Sequence, residues 1–202
     1  MKLYYSPGAC SLSPHIALHE SGLPFQAVLA STKTHKLKDG TDYYTINPKG
    51  YVPLVEFDDG TPLSEGPAIV QWIADQVPEK RLAPPAGTIE RYRLQEWLTF
   101  IGTEIHKQFS PLFNPAMPEE AKALFRQKIL ERLGYVDRHL AGHDYLLGIR
   151  FSVADAYLYT VTRWAAPLKL DISGFANLAA FMARMAARPA VQQALKAEGL
   201  PL

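Results

Sequence analysis

Cys10 is the only cysteine in this chain, and it follows Ser6-Pro7-Gly8-Ala9 just ahead of a helical stretch. Backbone N–H groups at a helix start stabilise an anion, so a thiol there ionises more readily than a free one. The competing reading is a buried, inert cysteine that packs as a small hydrophobe. Ser11 can offer its hydroxyl to the sulfur, and Tyr5 stands close by on the preceding strand. Ser13 takes the place where a Cys-x-x-Cys pair would have its second sulfur. Redox chemistry at Cys10 is therefore monothiol, and any disulfide partner must come from outside the chain.

Two further clusters carry recognition chemistry. Ser64-Glu65-Gly66-Pro67 opens a helix with Ser64 as its expected cap. Ordinary capping explains that composition. It would equally suit an amino acid, whose amine would meet Glu65 while N–H groups around Gly66 take the carboxylate. Val52-Pro53 runs into a strand, and its peptide bond is trans by default. A cis bond would turn Val52 outward and offer its N–H and C=O to an extended, peptide-like ligand.

A third cluster lies on a long helix. Thr99, Thr103, His106 and Ser110 recur at helical spacing opposite Leu94, Leu98, Ile101 and Ile105, with Lys107 at the flank. A solvated face is the plain explanation. Two threonines, a serine and Gly102 are poor helix formers for such a face, and small residues suit a surface against which something packs or binds. His15 and His19 form an i, i+4 pair without the carboxylate of a His-Glu-x-x-His site, so no metal is expected and both are read as helix-surface histidines. The chain has no Walker loop, dinucleotide fingerprint or Gly-x-Ser-x-Gly elbow.

The elements that must position these residues fall into two parts. Lys2–Tyr5, the helix through Ile16, Phe25–Leu29, an irregular stretch over 31–50, a hairpin of 54–57 and 61–63, and a helix bearing Ile69, Trp72, Ile73 and Val77 predict a small α/β layer on a mixed four-stranded sheet. Beyond the proline-dense stretch at 81–87 the pattern is helical. Ile89–Phe109 and Pro118–His139 read as long helices, and Ser152-Val153-Ala154-Asp155 as a capping box. A stripe of Leu178, Phe181, Met182 and Met185 is followed by a short last helix from Pro189. The expected organisation is a domain at 1–80, a linker at 81–87 and an all-helical domain at 88–202.

Composition narrows the function classes. The chain has 202 residues, 48% hydrophobic, and a formal net charge of +1. That balance gives no footprint for nucleic acid or an anionic membrane. It hides an asymmetry: 1–80 carries six basic and nine acidic residues, whereas every arginine lies beyond it. No apolar run approaches the roughly 18 residues of a membrane span, and the first residues lack a signal peptide's apolar core. A soluble, cytosolic protein is expected.

These pieces together resemble a bacterial beta-class glutathione transferase over the whole length. The residues that carry the resemblance are Tyr4-Tyr5-Ser6-Pro7-Gly8-Ala9-Cys10-Ser11, Asn47-Pro48-Lys49-Gly50 with Val52-Pro53, and Glu65-Gly66. Beyond the linker they are Glu104-Ile105-His106-Lys107, Ser152-Val153-Ala154-Asp155, and Arg188-Pro189 through Ala197-Glu198-Gly199-Leu200. The resemblance implies a thioredoxin-like N-terminal domain, an all-α C-terminal domain and a homodimer.

It also implies site roles. Cys10 would contact the sulfur of glutathione, and Val52, before a cis Pro53, would pair with its cysteinyl part. Glu65 and Gly66 would hold the γ-glutamyl group. His35 stands where the class usually has a lysine for the glycine carboxylate, and Thr99 where asparagine is common. The polar stripe would face an inter-domain cleft, with Thr99, Thr103 and His106 near the peptide and part of the site coming from the partner subunit; Glu104 and Ile105 would also bind glutathione, with Tyr5, Ser11, Pro53 and Lys107 in support. The implied activity is conjugation of glutathione, a co-substrate rather than a cofactor, to hydrophobic electrophiles, with His106 assisting as acid or base. Cys10 could also form a mixed disulfide with glutathione, which makes a monothiol glutathione-dependent reductase the alternative. A non-catalytic binding protein of the same fold is the third reading.

Overall fold

The computed structural model describes residues 1–201. The chain divides into two compact units: Met1–Ala83 together with the segment from Ala186 onward, and Pro84–Met185. The α/β unit opens with β1 (Lys2–Tyr5), α1 (Leu12–Ser21) and β2 (Gln26–Leu29), and the crossover through α1 lets β1 and β2 pair in parallel. The hairpin β3 (Leu54–Glu56) and β4 (Pro62–Ser64) then adds antiparallel, giving the order β2-β1-β3-β4. The mixed four-stranded sheet expected from the sequence is present. Helix α2 (Gly66–Gln76) follows β4 directly.

Leu3 and Val55 face each other in the β1–β3 register, and both are fully buried with Ile16, Ile69 and Ile73. Each such side chain contributes about 1.5–3 kcal/mol by leaving water. This core fixes the C-terminal end of β1, and so the place where the chain turns into α1.

The other unit holds α3 (Ile89–Phe100), α4 (Lys107–Phe109), α5 (Glu119–His139), α6 (Val153–Thr162) and α7 (Ala176–Ala186). The capping box at α6 forms as read. Asp155 accepts from the Ser152 N–H at 2.7 Å and its hydroxyl at 2.8 Å, and its other oxygen takes the Leu146 N–H at 2.8 Å. Met185 is core; Met182 is only half-buried.

Two expectations change. The last helix, α8 (Pro189–Ala197), packs on α1 and belongs with the α/β unit, not with an 88–202 domain. Val191, Ala194 and Leu195 are the apolar side that α1 covers. The long helix is not regular either. Between α3 and α4 the backbone runs as a π-helix over Ile101–His106, and a 3-10 turn, Ser110–Phe113, ends it.

Candidate active site

The turn that carries Cys10 is closed by Ser11. Its hydroxyl accepts from the Ser6 N–H at 3.1 Å and donates to the Ser6 carbonyl at 3.2 Å. The expectation that Ser11 serves the sulfur is corrected here, because a fully buried hydroxyl is spent on the turn's own backbone. The half-buried Cys10 Sγ donates instead to the Val52 carbonyl at 3.3 Å, a bond that the protonated thiol makes. Ser13, one helical turn on, is buried.

Behind this turn stands a buried pair that sequence reading missed. The Glu198 carboxylate accepts from the Gly8 N–H at 2.9 Å and pairs with His15 Nδ1 at 2.8 Å. The His15 and Glu198 side chains are 1% and 0% exposed. His15 stacks on His19 at 5.1 Å and meets Phe25 edge-on, so neither histidine is the surface residue expected. The face of α1 that they occupy lies under α8. Burial first, then the neighbouring His15, lowers the His19 pKa, with Gln193 opposing. The Tyr5 ring lies 5.4 Å from His15. Burial, with the Glu198 carboxylate adding to it, raises the Tyr5 hydroxyl above the usual phenol range.

The segment Asn47–Pro53 is the spine of the site. Gly50 has φ of 72°, and a Cβ there would lie 2.3 Å from Tyr44 Cε1, so only glycine makes this turn. The buried Asn47 amide and the Tyr43 hydroxyl both donate to the Tyr51 carbonyl, at 2.7 and 3.3 Å. Burial pushes the Tyr43 hydroxyl up to about 12, which keeps it a donor. His35 Nδ1 donates to the Gly50 carbonyl at 2.8 Å, and its ring leans on Tyr44. The Val52–Pro53 peptide is cis. The Val52 side chain is buried while its carbonyl meets Cys10.

Pro53 in turn borders Gly66, where a Cβ would stand 3.9 Å from Pro53 Cγ. Ser64 ends β4 and does not cap α2, which has no side-chain cap. Glu65 holds the cap position with φ of 71°, and its carbonyl takes the Ala68 and Ile69 N–H groups. Its carboxylate Oε1 accepts from Lys49 Nζ at 2.7 Å and from the Tyr51 hydroxyl at 3.0 Å. A carboxylate that already takes one ammonium is chemically able to take another.

In the helical unit the π-helical stretch spans four of the candidate residues. Thr103 is exposed, and its hydroxyl donates to the Thr99 carbonyl at 3.0 Å. Glu104 pairs with Arg132 at 2.9 Å. Ile105 is fully buried, so only its backbone is available to a ligand. His106 Nδ1 lies 2.6 Å from the Tyr157 hydroxyl, and its ring meets Trp164 at 4.9 Å between centroids. Phe109 and Phe113 also contact Trp164 edge-on, and Thr99 and Lys107 are exposed.

The structure thus joins Cys10, Val52, Pro53, Glu65 and Gly66 along one backbone segment, to which His35 is hydrogen-bonded at the Gly50 carbonyl. Thr99, Thr103, Glu104, Ile105, His106 and Lys107 form a second set on one helix of the other unit. Sequence reading missed Lys49 and Tyr51 beside Glu65, Tyr157 beside His106, and Glu198 behind Cys10. Among the described residues no group of three or more His, Cys, Asp and Glu side chains is placed to hold a metal.

The chain is similar to known proteins over nearly its whole length. The model for the glutathione S-transferase N-terminal domain matches residues 8–76, and that for the C-terminal domain matches 100–189. Glutathione S-transferase GstA of Escherichia coli O157:H7 is 51% identical over 99% of this chain and 100% of that protein. A solved ternary complex of BphK, a bacterial GST, is 56% identical at a TM-score of 0.97, covering 99% of this chain and 100% of its own. A bacterial beta class glutathione S-transferase of Sphingomonas chungbukensis is 48% identical at a TM-score of 0.96, with both chains fully covered. With both domain models matched and about half of all positions shared end to end, the chain belongs to the glutathione S-transferase family, in its bacterial beta class.

Proposed function

We propose that this enzyme joins the thiol of glutathione to hydrophobic electrophiles, with Cys10 in contact with the glutathione sulfur. The observation that carries the reading is the array along Asn47–Pro53: the Cys10 thiol on the Val52 carbonyl, with Glu65 and Gly66 beside Pro53. A γ-glutamyl peptide needs an acceptor for its ammonium, which Glu65 offers, and backbone partners for its cysteinyl residue, which Val52 offers. His35 serves the glycine carboxylate in this reading, and Thr99, Thr103, Glu104 and Ile105 complete the peptide's surroundings. The glutathione sulfur attacks the electrophilic carbon as its proton leaves to His106; in a substitution the leaving group departs with the electron pair of its bond to that carbon, and in an addition across a double bond His106 returns the proton to the carbanion formed. Trp164 and the exposed Phe113 supply apolar surface of the kind an electrophile with an aromatic or aliphatic body fits.

A second reading rests on the half-exposed thiol and on Ser13 in place of a resolving cysteine. The Cys10 thiolate attacks the glutathione sulfur of a substrate–glutathione mixed disulfide, forms a protein–glutathione disulfide and releases the substrate as its thiolate. The thiolate of a second glutathione then attacks that disulfide, freeing the Cys10 thiolate and leaving as oxidised glutathione. A homodimer working in the cytoplasm belongs to the same proposal; among the described residues no helix is long and apolar enough to cross a membrane.

One pair of assays tests both readings. Wild type and Cys10→Ala are compared for conjugation of 1-chloro-2,4-dinitrobenzene and for reduction of a mixed disulfide of glutathione. Intact-mass analysis after exposure to oxidised glutathione should show one adduct that Cys10→Ala lacks. Full conjugation by Cys10→Ala with loss of reduction would confine Cys10 to redox chemistry. Absence of an adduct on wild type would refute the mixed disulfide.

A further inference from the structure

We infer that glutathione binding by this protein is coupled to the uptake of one proton, at Nε2 of His35. The inference rests on the proposed reading of the array along Asn47–Pro53 as a glutathione site, and it names how that site is regulated.

The chain around His35 fixes its imidazole. His35 has φ of 51°, a left-handed conformation that histidine enters more readily than most residues. Its N–H donates to the Ser31 carbonyl at 2.9 Å, and its carbonyl accepts from the Tyr43 N–H at 2.8 Å. The ring leans on Tyr44 with centroids 4.7 Å apart. Tyr44 is also the ring that crowds Gly50, so the missing side chain at Gly50 lets it lie over that turn. From this position Nδ1 reaches the Gly50 carbonyl at 2.8 Å.

A carbonyl oxygen only accepts, so Nδ1 carries a proton in every state of the ring. Neutral His35 is therefore the Nδ1–H form, and its Nε2 is a lone pair that none of the described residues hydrogen-bonds. A lone pair repels a carboxylate. The imidazolium has a second N–H, on Nε2, and that N–H bonds a carboxylate with the assistance of charge.

The order of groups along the segment says which carboxylate. Gly66 borders Pro53, Cys10 meets the Val52 carbonyl and His35 meets the Gly50 carbonyl. That is the order γ-glutamyl, cysteinyl, glycyl of the peptide, whose last residue ends in a carboxylate. The other titratable groups near the ring are committed or turned away. Asp42 accepts from the Tyr44 N–H at 3.0 Å, and Lys33 and Lys36 are exposed. The Tyr43 hydroxyl donates to the Tyr51 carbonyl, and the Lys49 ammonium and Tyr51 hydroxyl both go to Glu65. The ligand thus favours the protonated ring, Nε2 takes its proton from water, and affinity falls as pH rises through the range in which histidines titrate.

The test uses γ-glutamyl-2-aminobutyryl-glycine, which has a methyl group in place of the glutathione thiol and so removes sulfur ionisation from the measurement. Isothermal titration calorimetry of wild type at pH 7, in buffers of different ionisation enthalpy, should show net proton uptake on binding. Kd should rise roughly tenfold from pH 6 to pH 8. His35→Lys should bind without uptake and with a level Kd, and His35→Gln should be as weak at pH 6 as wild type is at pH 8. The same peptide ending in glycinamide should lose the pH dependence on wild type. Wild-type binding with no net uptake and a level Kd would overturn the inference and leave the glutathione site standing. Uptake that persists in His35→Lys, or with the glycinamide, would overturn it by placing the proton on another group. Failure of the peptide to bind at any pH would refute the glutathione site and the inference together.

Discussion

Replacing Glu198 by alanine should cost this protein a large share of its stability, although Glu198 lies near the end of the chain and outside every sequence motif for catalysis. The carboxylate is buried and holds two partners: the His15 imidazole at 2.8 Å and the Gly8 N–H at 2.9 Å. Removing the carboxylate leaves the buried His15 Nδ1 without its partner, a cost of roughly 1.5–3 kcal/mol for a hydrogen bond to a charged group. Loss of the bond to the Gly8 N–H alone costs about 1–3 kcal/mol. Both losses arise from one carboxylate and overlap, so about 4 kcal/mol is expected in total, against a typical domain stability of roughly 5–15 kcal/mol. For a chain of this size that corresponds to a fall in Tm of about 10 °C.

Urea unfolding followed by circular dichroism, at one fixed protein concentration, measures it. Glu198→Gln keeps one acceptor oxygen and should lose about half as much. The double variant His15→Leu with Glu198→Leu separates the two partners. It removes both members of the buried pair together and leaves only the Gly8 N–H without its acceptor, so it should be more stable than Glu198→Ala. A Glu198→Ala protein within about 1 kcal/mol of wild type would refute the reasoning, since water would then have to replace both bonds at a site with no exposed side-chain surface.

Two further perturbations probe the α/β unit. Glu65→Gln should raise KM for glutathione roughly tenfold with kcat little changed, because a neutral amide loses its charge-assisted bond to an ammonium; steady-state kinetics with varied glutathione reads the split, and an unchanged KM would remove Glu65 from ligand binding. Glu56, held below its ordinary pKa of 4.5 first by Lys2, with Tyr4 adding, binds its proton less readily folded than unfolded. Its contribution to stability is therefore complete above the unfolded pKa and is lost as pH falls through the folded one. Tm measured from pH 6 to pH 3 should drop less steeply in Glu56→Gln than in wild type, and parallel curves would show that the pair contributes nothing.

The sheet and most helices could be read from the chain because their signals are local. Leu3 and Val55 sit in short apolar runs that end at Ser6-Pro7-Gly8 and Asp58-Asp59-Gly60. Gly22 takes the left-handed C-cap of α1, and Ser152 with Asp155 writes a capping box three residues apart. Ser64 misled for the same reason. It looks like a cap, but the hairpin extends through it, and the backbone of Glu65 turns with a positive φ that no propensity announces. The surface reading of His15 and His19 failed on a fact that lies far away in sequence: the helix covering them begins at Pro189. The pairing of Glu198 with Gly8 spans 190 positions, and charge counting along the chain cannot reveal it.

The polar stripe on the long helix shows most clearly what spacing can and cannot say. Steps of four, three and four residues predict one face of a regular helix, and Thr99 and Thr103 do lie exposed on it. His106 belongs to that face only if each turn closes on the fourth residue back. Over Ile101–His106 the turns close on the fifth, and the histidine swings off the stripe toward Tyr157 and Trp164. Nothing in Ile101-Gly102-Thr103-Glu104-Ile105-His106 demands this locally, since a π-helix is held by what it packs against. Gly102 is the one trace, a residue without a side chain where the Tyr157 hydroxyl approaches the backbone. The composition of the stripe was thus informative about binding, while its geometry was settled by a tyrosine 51 positions further on.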